Sequence, residues 1–145
     1  MSYWLDEAFG EVADFHRAFG HPIGSRPAHL PRHRVVARMS WMTEELEELD
    51  RATDVVEQAD ALIDLIYFAL GTFVELGVKP GELFEVVHQA NMSKLWPDGK
   101  PRYKVDGKVI KPGGWIDPVT DPKANTGDYK DDCASPDDLQ MLKWY

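Results

Sequence analysis

The stretch T43-E-E-L-E-E-L-D-R-A-T-D-V-V-E-Q-A-D-A-L-I-D64 sets two acidic, leucine- and valine-containing segments on either side of a short polar break. Glutamate and leucine are good helix formers, so each segment reads as helix. Asp54 with Glu57 three residues on is a capping-box-like restart, which places a turn near 52–54. At 100° per residue Glu44, Glu45 and Glu48 fall within roughly a 100° arc of the first helix, and Glu57, Asp60 and Asp64 within roughly a 60° arc of the second. Glu47 points well away from Glu45 and is expected to be solvated. If the two helices form an antiparallel hairpin, facing residues have numbers adding to about 106–110. Glu48 is then level with Asp60, and Glu45 with Asp64. Four carboxylates meet in one patch.

Facing carboxylates repel unless protons or cations intervene. Oxygen-only donors suit a hard cation, Mg²⁺ or Mn²⁺. The alternative is neutralisation by Arg38 or Arg51 from the first helix, because residues 54–78 contain no Lys or Arg. Asp64 lies within ADALIDLIYF, where a bare charge is costly to desolvate. A carboxylate-held cation with open positions usually takes phosphates as well.

Working outward, Trp4, Ala8, Val12, Phe15 and Phe19 recur at three- and four-residue steps and predict a helix over about 3–19, ended by Gly20. GHPIGSRPAHLP (20–31) is a loop. Val35, Met39, Met42, Leu46 and Leu49 form the packing seam expected of helix two, about 32–51. Helix three runs to about 76 with Gly77 as its cap, and Pro80 starts helix four, about 80–95, whose inner face is Leu83, Phe84, Val87 and Ala90. On helix four His88, Asn91 and Lys94 share one side. Lysine can neutralise a phosphate and asparagine can bond a sugar, base or phosphate oxygen. Next, RYKV-DG-KVIK (102–111) predicts a two-residue β-hairpin, 117–138 is irregular, and the final DLQMLKWY is expected to dock on the body. The expected organisation is a helical core over 1–96 and a hairpin and extended tail of the same domain over 97–145.

The chain has 145 residues, formal charge −9 and pI near 4.9. That balance argues against binding nucleic acid through its phosphates. The segment 61–78 is too short and too interrupted by acids and glycines for a membrane span. A single cysteine, Cys133, and an N-terminus unlike a signal peptide point to the cytoplasm.

E44-E-L-E-E48, the acidic motif on the next helix and N91-M-S-K94 together resemble the MazG-like all-α nucleoside triphosphate pyrophosphohydrolases, which include dimeric dUTPases and phosphoribosyl-ATP pyrophosphohydrolase. The likeness spans about 10–116 and includes FHRAFG, GTFVELGV and DGKVIKPGGW. The family pattern is EExxE followed by ExxD. Here E57-Q-A-D60 has the letters but only eight residues separate it from Glu48, whereas the family gap selects A61-L-I-D64, with alanine for glutamate. Asp60 can take the missing glutamate's place, leaving Glu57 as outer ligand, supporting group or cap.

The resemblance implies an all-α, four-helix, oligomeric protein, a homodimer or homotetramer. It implies Mg²⁺-dependent cleavage of an NTP or dNTP to monophosphate and pyrophosphate. Glu44, Glu45, Glu48, Asp60, Asp64 and Glu57 are the candidate metal ligands, with Glu44 or Glu45 as proton acceptor. Asn91, Lys94, His16, Phe15 and Trp41 are the candidate substrate contacts. A phosphoribosyl-ATP-type activity and a non-catalytic helical dimer that binds a protein partner are the competing readings.

Overall fold

A computed structural model describes residues 3–117. The irregular tail, Cys133 and the docking of the last residues fall outside that range. Four helices follow in order: α1 (Trp4–Phe19), α2 (Arg32–Arg51), α3 (Val55–Leu76) and α4 (Gly81–Met92). The all-α expectation holds for the described residues, with no strand formed among them. No single helix among them is long and apolar enough to cross a membrane. The chain forms two compact units, Met1–Gly81 and Glu82–Tyr145.

The helix ends follow local chemistry. Gly20 and Gly77 both adopt φ 69°, the left-handed cap glycine tolerates best, and return their N–H groups to the preceding turn. Asp54 caps α3 by accepting the Glu57 N–H at 2.9 Å, while Glu57 Oε2 accepts the Thr53 N–H at 2.7 Å. This reciprocal pair is a variant of the capping box and restarts the chain only a few residues after α2.

In the first unit α3 packs against both α2 and α1. Arg34 meets Glu75, Arg38 lies over Gly71 and Trp41 packs on Phe68, pairs whose numbers add to 109. The antiparallel hairpin and its register are therefore as the acidic stripes require. The apolar core is small: Val12 and Ala13 of α1 with Leu70 and Val74 of α3, backed by Leu5, Ala8 and Phe9. The expected α2 seam is only partly the packed face. Val35, Met42 and Leu49 are half-buried and share that face with the buried Arg38 and Glu45, whereas Met39 and Leu46 are half exposed. Polar residues share the interface because α2 meets α3 through charge pairing at one end and carboxylates at the other. Loop 20–31 closes on the end of α3, with Gly24 N–H donating to Val74 O at 2.9 Å and Ala28 N–H to Leu76 O at 3.1 Å. A Cβ at Gly24 would stand 2.5 Å from the Gly77 nitrogen, so only glycine permits this approach.

In the second unit α4 is followed by three tight turns. Gly99 N–H donates to Trp96 O, Gly107 N–H to Lys104 O and Trp115 N–H to Pro112 O, with positive φ at Gly99, Gly107 and Gly114. The expected β-hairpin is reduced to one antiparallel bridge, Tyr103–Val109. Val105 and Asp106, not Asp106 and Gly107, are the central residues of its turn. Gly107 follows in the left-handed conformation, making a three-residue loop rather than a two-residue one. The Arg102–Lys104 side is too short for a ladder.

Candidate active site

The α2–α3 interface is built in three layers along the hairpin. At the open end of α3, Glu75 is buried and accepts from Arg34 Nε at 2.6 Å and from Arg38 Nε. Burial pushes the Glu75 carboxyl up, but the two guanidinium hydrogen bonds outweigh it and hold the group below the usual carboxylate range. Arg38 Nη2 also donates to His16 Nε2 at 3.1 Å, and His16 Nδ1 donates to Pro22 O at 2.7 Å. This pairing fixes the tautomer. Burial, with Arg38 and His21 nearby, lowers the His16 pKa despite the opposing Pro22 carbonyl. Gly71 makes room for the network: a Cβ there would lie 2.6 Å from Arg38 Nη1.

The middle layer is aromatic. Trp41 packs on Phe68 at 5.9 Å and near His21 at 6.3 Å, with the guanidinium carbons of Arg34 and Arg38 at 5.5 and 5.0 Å from its ring centre. Phe15 is stacked on Phe19 at 4.4 Å and meets Tyr67 edge-on at 5.7 Å.

Toward the turn comes the acidic layer. Glu45 is buried, and its Oε2 has no hydrogen-bond partner. Desolvation first, then the charges of Glu48, Asp64, Glu44 and Asp60, raise its pKa above the usual carboxylate range. The five acids therefore share one electrostatic neighbourhood. The cations that could have neutralised them are committed elsewhere, Arg38 to Glu75 and Arg51 to Glu47 across an exposed 3.8 Å pair. None of the five carboxylates forms a salt bridge among the described residues. An orphaned, buried anionic oxygen among acids is the donor chemistry a hard cation satisfies. No three acidic, His or Cys side chains among the described residues converge tightly enough to close a metal cage.

Several expectations change at this level. Asp64 is exposed, and the carboxylate that bears the desolvation cost is Glu45. Glu57 is exposed and holds Thr53 through its N–H and hydroxyl, so it serves as a cap. His16 has both ring nitrogens hydrogen-bonded within the chain. Trp41 and Phe15 are half-buried in the aromatic layer. Asn91 and Lys94 belong to the second unit, where Lys94 Nζ donates to Asn91 Oδ1 at 2.6 Å. The Arg34–Glu75–Arg38–His16 network is not evident from sequence pattern. Its only sequence signal is Glu75, a lone acid near the end of an apolar helix that lacks any cation of its own.

The sequence profile of the family described as phosphoribosyl-ATP pyrophosphohydrolase matches residues 12–91. No curated protein matches this chain. Among solved structures, a protein of Exiguobacterium sp. 255-15 assigned as an NTP pyrophosphohydrolase is 34% identical. The match covers 75% of this chain and 87% of that one, with a TM-score of 0.39. Sequence identity, not superposition, carries that likeness. With the family profile matched from α1 through most of α4, the chain belongs to the phosphoribosyl-ATP pyrophosphohydrolase family, among the MazG-like nucleotide pyrophosphohydrolases.

Proposed function

We propose that the protein hydrolyses a nucleoside or deoxynucleoside triphosphate to the monophosphate and pyrophosphate, with Mg²⁺ or Mn²⁺ held by Glu45, Glu48, Asp60 and Asp64 and assisted by Glu44. The observation that carries this reading is Glu45: a buried carboxylate with an unpartnered oxygen, ringed by acids, with every nearby arginine already engaged. When bound, the cation offsets the negative charge of the triphosphate and lowers the pKa of water at the site.

The chain's own groups supply the rest. Glu44, exposed beside Glu45, accepts the proton of the attacking water, and Glu45 is the alternative acceptor. Water adds across a phosphoanhydride bond and the pyrophosphate leaves. Within the second unit, Lys94 can offset phosphate charge and Asn91 can bond a sugar or phosphate oxygen. Trp41 and Phe15 offer half-buried aromatic surface to the base.

A phosphoribosyl-ATP substrate is the second reading, favoured by the description of the matching family. We further propose that the protein is a homodimer or homotetramer. Val55, Val56, Leu62, Ile63 and Ile66 leave an apolar face of α3 exposed, more than a monomer keeps without use.

The deciding experiment is pyrophosphate release from the eight common NTPs and dNTPs and from phosphoribosyl-ATP, each with Mg²⁺. Turnover of one or a few is expected. No turnover of any, with no metal binding by titration, refutes the enzyme reading. A Glu48→Gln variant with full activity refutes the site.

A further inference from the structure

Within the second unit the segment from Lys94 to Lys111 carries six lysines and arginines against two aspartates, in a chain whose formal charge is −9. Both aspartates are engaged. Asp98 pairs with Arg102 at 2.9 Å and accepts the Lys100 N–H, and Asp106 accepts the Lys108 N–H at 3.0 Å. The lysine ammoniums are left without carboxylates among the described residues.

Two of them are gathered onto one ring. Lys111 Nζ lies 4.6 Å and Lys94 Nζ 5.6 Å from the centre of Trp115, which puts the two ammoniums within about 10 Å of each other. The arrangement is built rather than incidental. The K111-P-G-G-W115 turn, closed by the Trp115 N–H to Pro112 O bond with Gly114 at φ 76°, folds Lys111 back onto the ring four residues later. The Trp115 indole N–H donates to Ser93 Oγ at 2.9 Å, and Ser93 Oγ in turn bonds Ala90 O. The ring is thereby tied to the end of α4, next to Lys94, whose Nζ is steadied by Asn91.

We propose that Lys111 and Trp115, together with Lys94, form a clamp for a pyrophosphoryl group. The indole face attracts each ammonium and so helps to pre-position two cations that repel each other. Two point charges on one rigid platform match an anion that carries its charge over two adjacent phosphates better than a single phosphate. The two glycines of the turn and the KPGGW spacing acquire a purpose: they set the second lysine.

This assignment rests on the pyrophosphohydrolase reading for its biological ligand, but it is testable without turnover. The probe is inorganic pyrophosphate, titrated calorimetrically into the full chain in EDTA at low salt, so that the carboxylates contribute no metal. Saturable binding is expected, weakened about tenfold in Lys111→Gln, the loss of one charge-assisted contact. A similar weakening is expected in Gly114→Val, which keeps Lys111 but disrupts the turn. Lys104→Gln, which removes an equal charge elsewhere in the segment, is expected to change affinity less than twofold. No binding by the wild-type chain, or equal losses in Lys104→Gln and Lys111→Gln, overturns the clamp while leaving any measured turnover intact. Absence of turnover with the pyrophosphate pattern retained refutes the enzyme reading and not the clamp.

Discussion

Replacing Glu45 by glutamine separates stability from function, because the two demand opposite things of this residue. In the absence of metal, Glu45 is buried with one oxygen unpartnered and four other acids acting on it. A buried, unsatisfied polar group costs roughly 1–3 kcal/mol, and more when charged. The glutamine amide removes the charge and offers an N–H to a neighbouring carboxylate, so Glu45→Gln is expected to stabilise the metal-free protein by about 1–3 kcal/mol. For a chain of this size that raises Tm by roughly 3–10 °C.

Adding Mg²⁺ reverses the ranking. The wild type gains stability by mass action, about 2.7 kcal/mol at a hundredfold excess over Kd, and the variant gains little. Thermal unfolding by circular dichroism, with EDTA and then with a Mg²⁺ series, reads both arms. Pyrophosphate release by the variant is expected to fall at least a hundredfold. A variant less stable than wild type in EDTA, or one whose Tm climbs with Mg²⁺ as steeply as wild type, refutes the reasoning.

Glu75→Gln leaves the Arg34 and Arg38 guanidiniums without their counterion and is expected to cost about 3–5 kcal/mol in urea unfolding. Because the folded-state pKa of Glu75 is lowered, its contribution is fully present above the usual carboxylate range and is lost as pH falls through the folded value. The difference between wild type and Glu75→Gln should therefore shrink as the pH of the urea titration is lowered toward 3. Gly71→Ala places a methyl against Arg38 and His16 and should lose about 1–3 kcal/mol by the same assay, although alanine is ordinarily the better helix former. Asp54→Ala removes the α3 cap and should lose about 1 kcal/mol, with a smaller effect for Asp54→Ser.

Much of the molecule follows from local sequence. Caps at Asp54, Gly20 and Gly77 and the period of the apolar residues delimit α1 to α3 within a residue or so, because these signals act over a single turn. The register of the α2–α3 hairpin was also readable, since a short connection forces antiparallel neighbours and leaves few ways to align two stripes. Opposed acids in that register make Glu45, Glu48, Asp60 and Asp64 a candidate group from the sequence alone.

Tertiary structure decided which of them is buried, and sequence pattern pointed the wrong way. Asp64 sits among apolar letters yet is exposed, and Glu45 sits among acids yet is buried. Neighbours along the chain lie on other faces of a helix, whereas burial is set by what packs across the interface. The same reason hid part of the inner face of α2. Val35, Met42 and Leu49 lie on it as the apolar stripe suggests, but Arg38 is drawn in beside them by Glu75 and His16, groups remote in sequence that no periodicity connects. Likewise the turn that lays Lys111 on Trp115 is legible in KPGGW. That the ring also meets Lys94 depends on the Ser93 hydroxyl, a contact across 22 residues that only folding brings together.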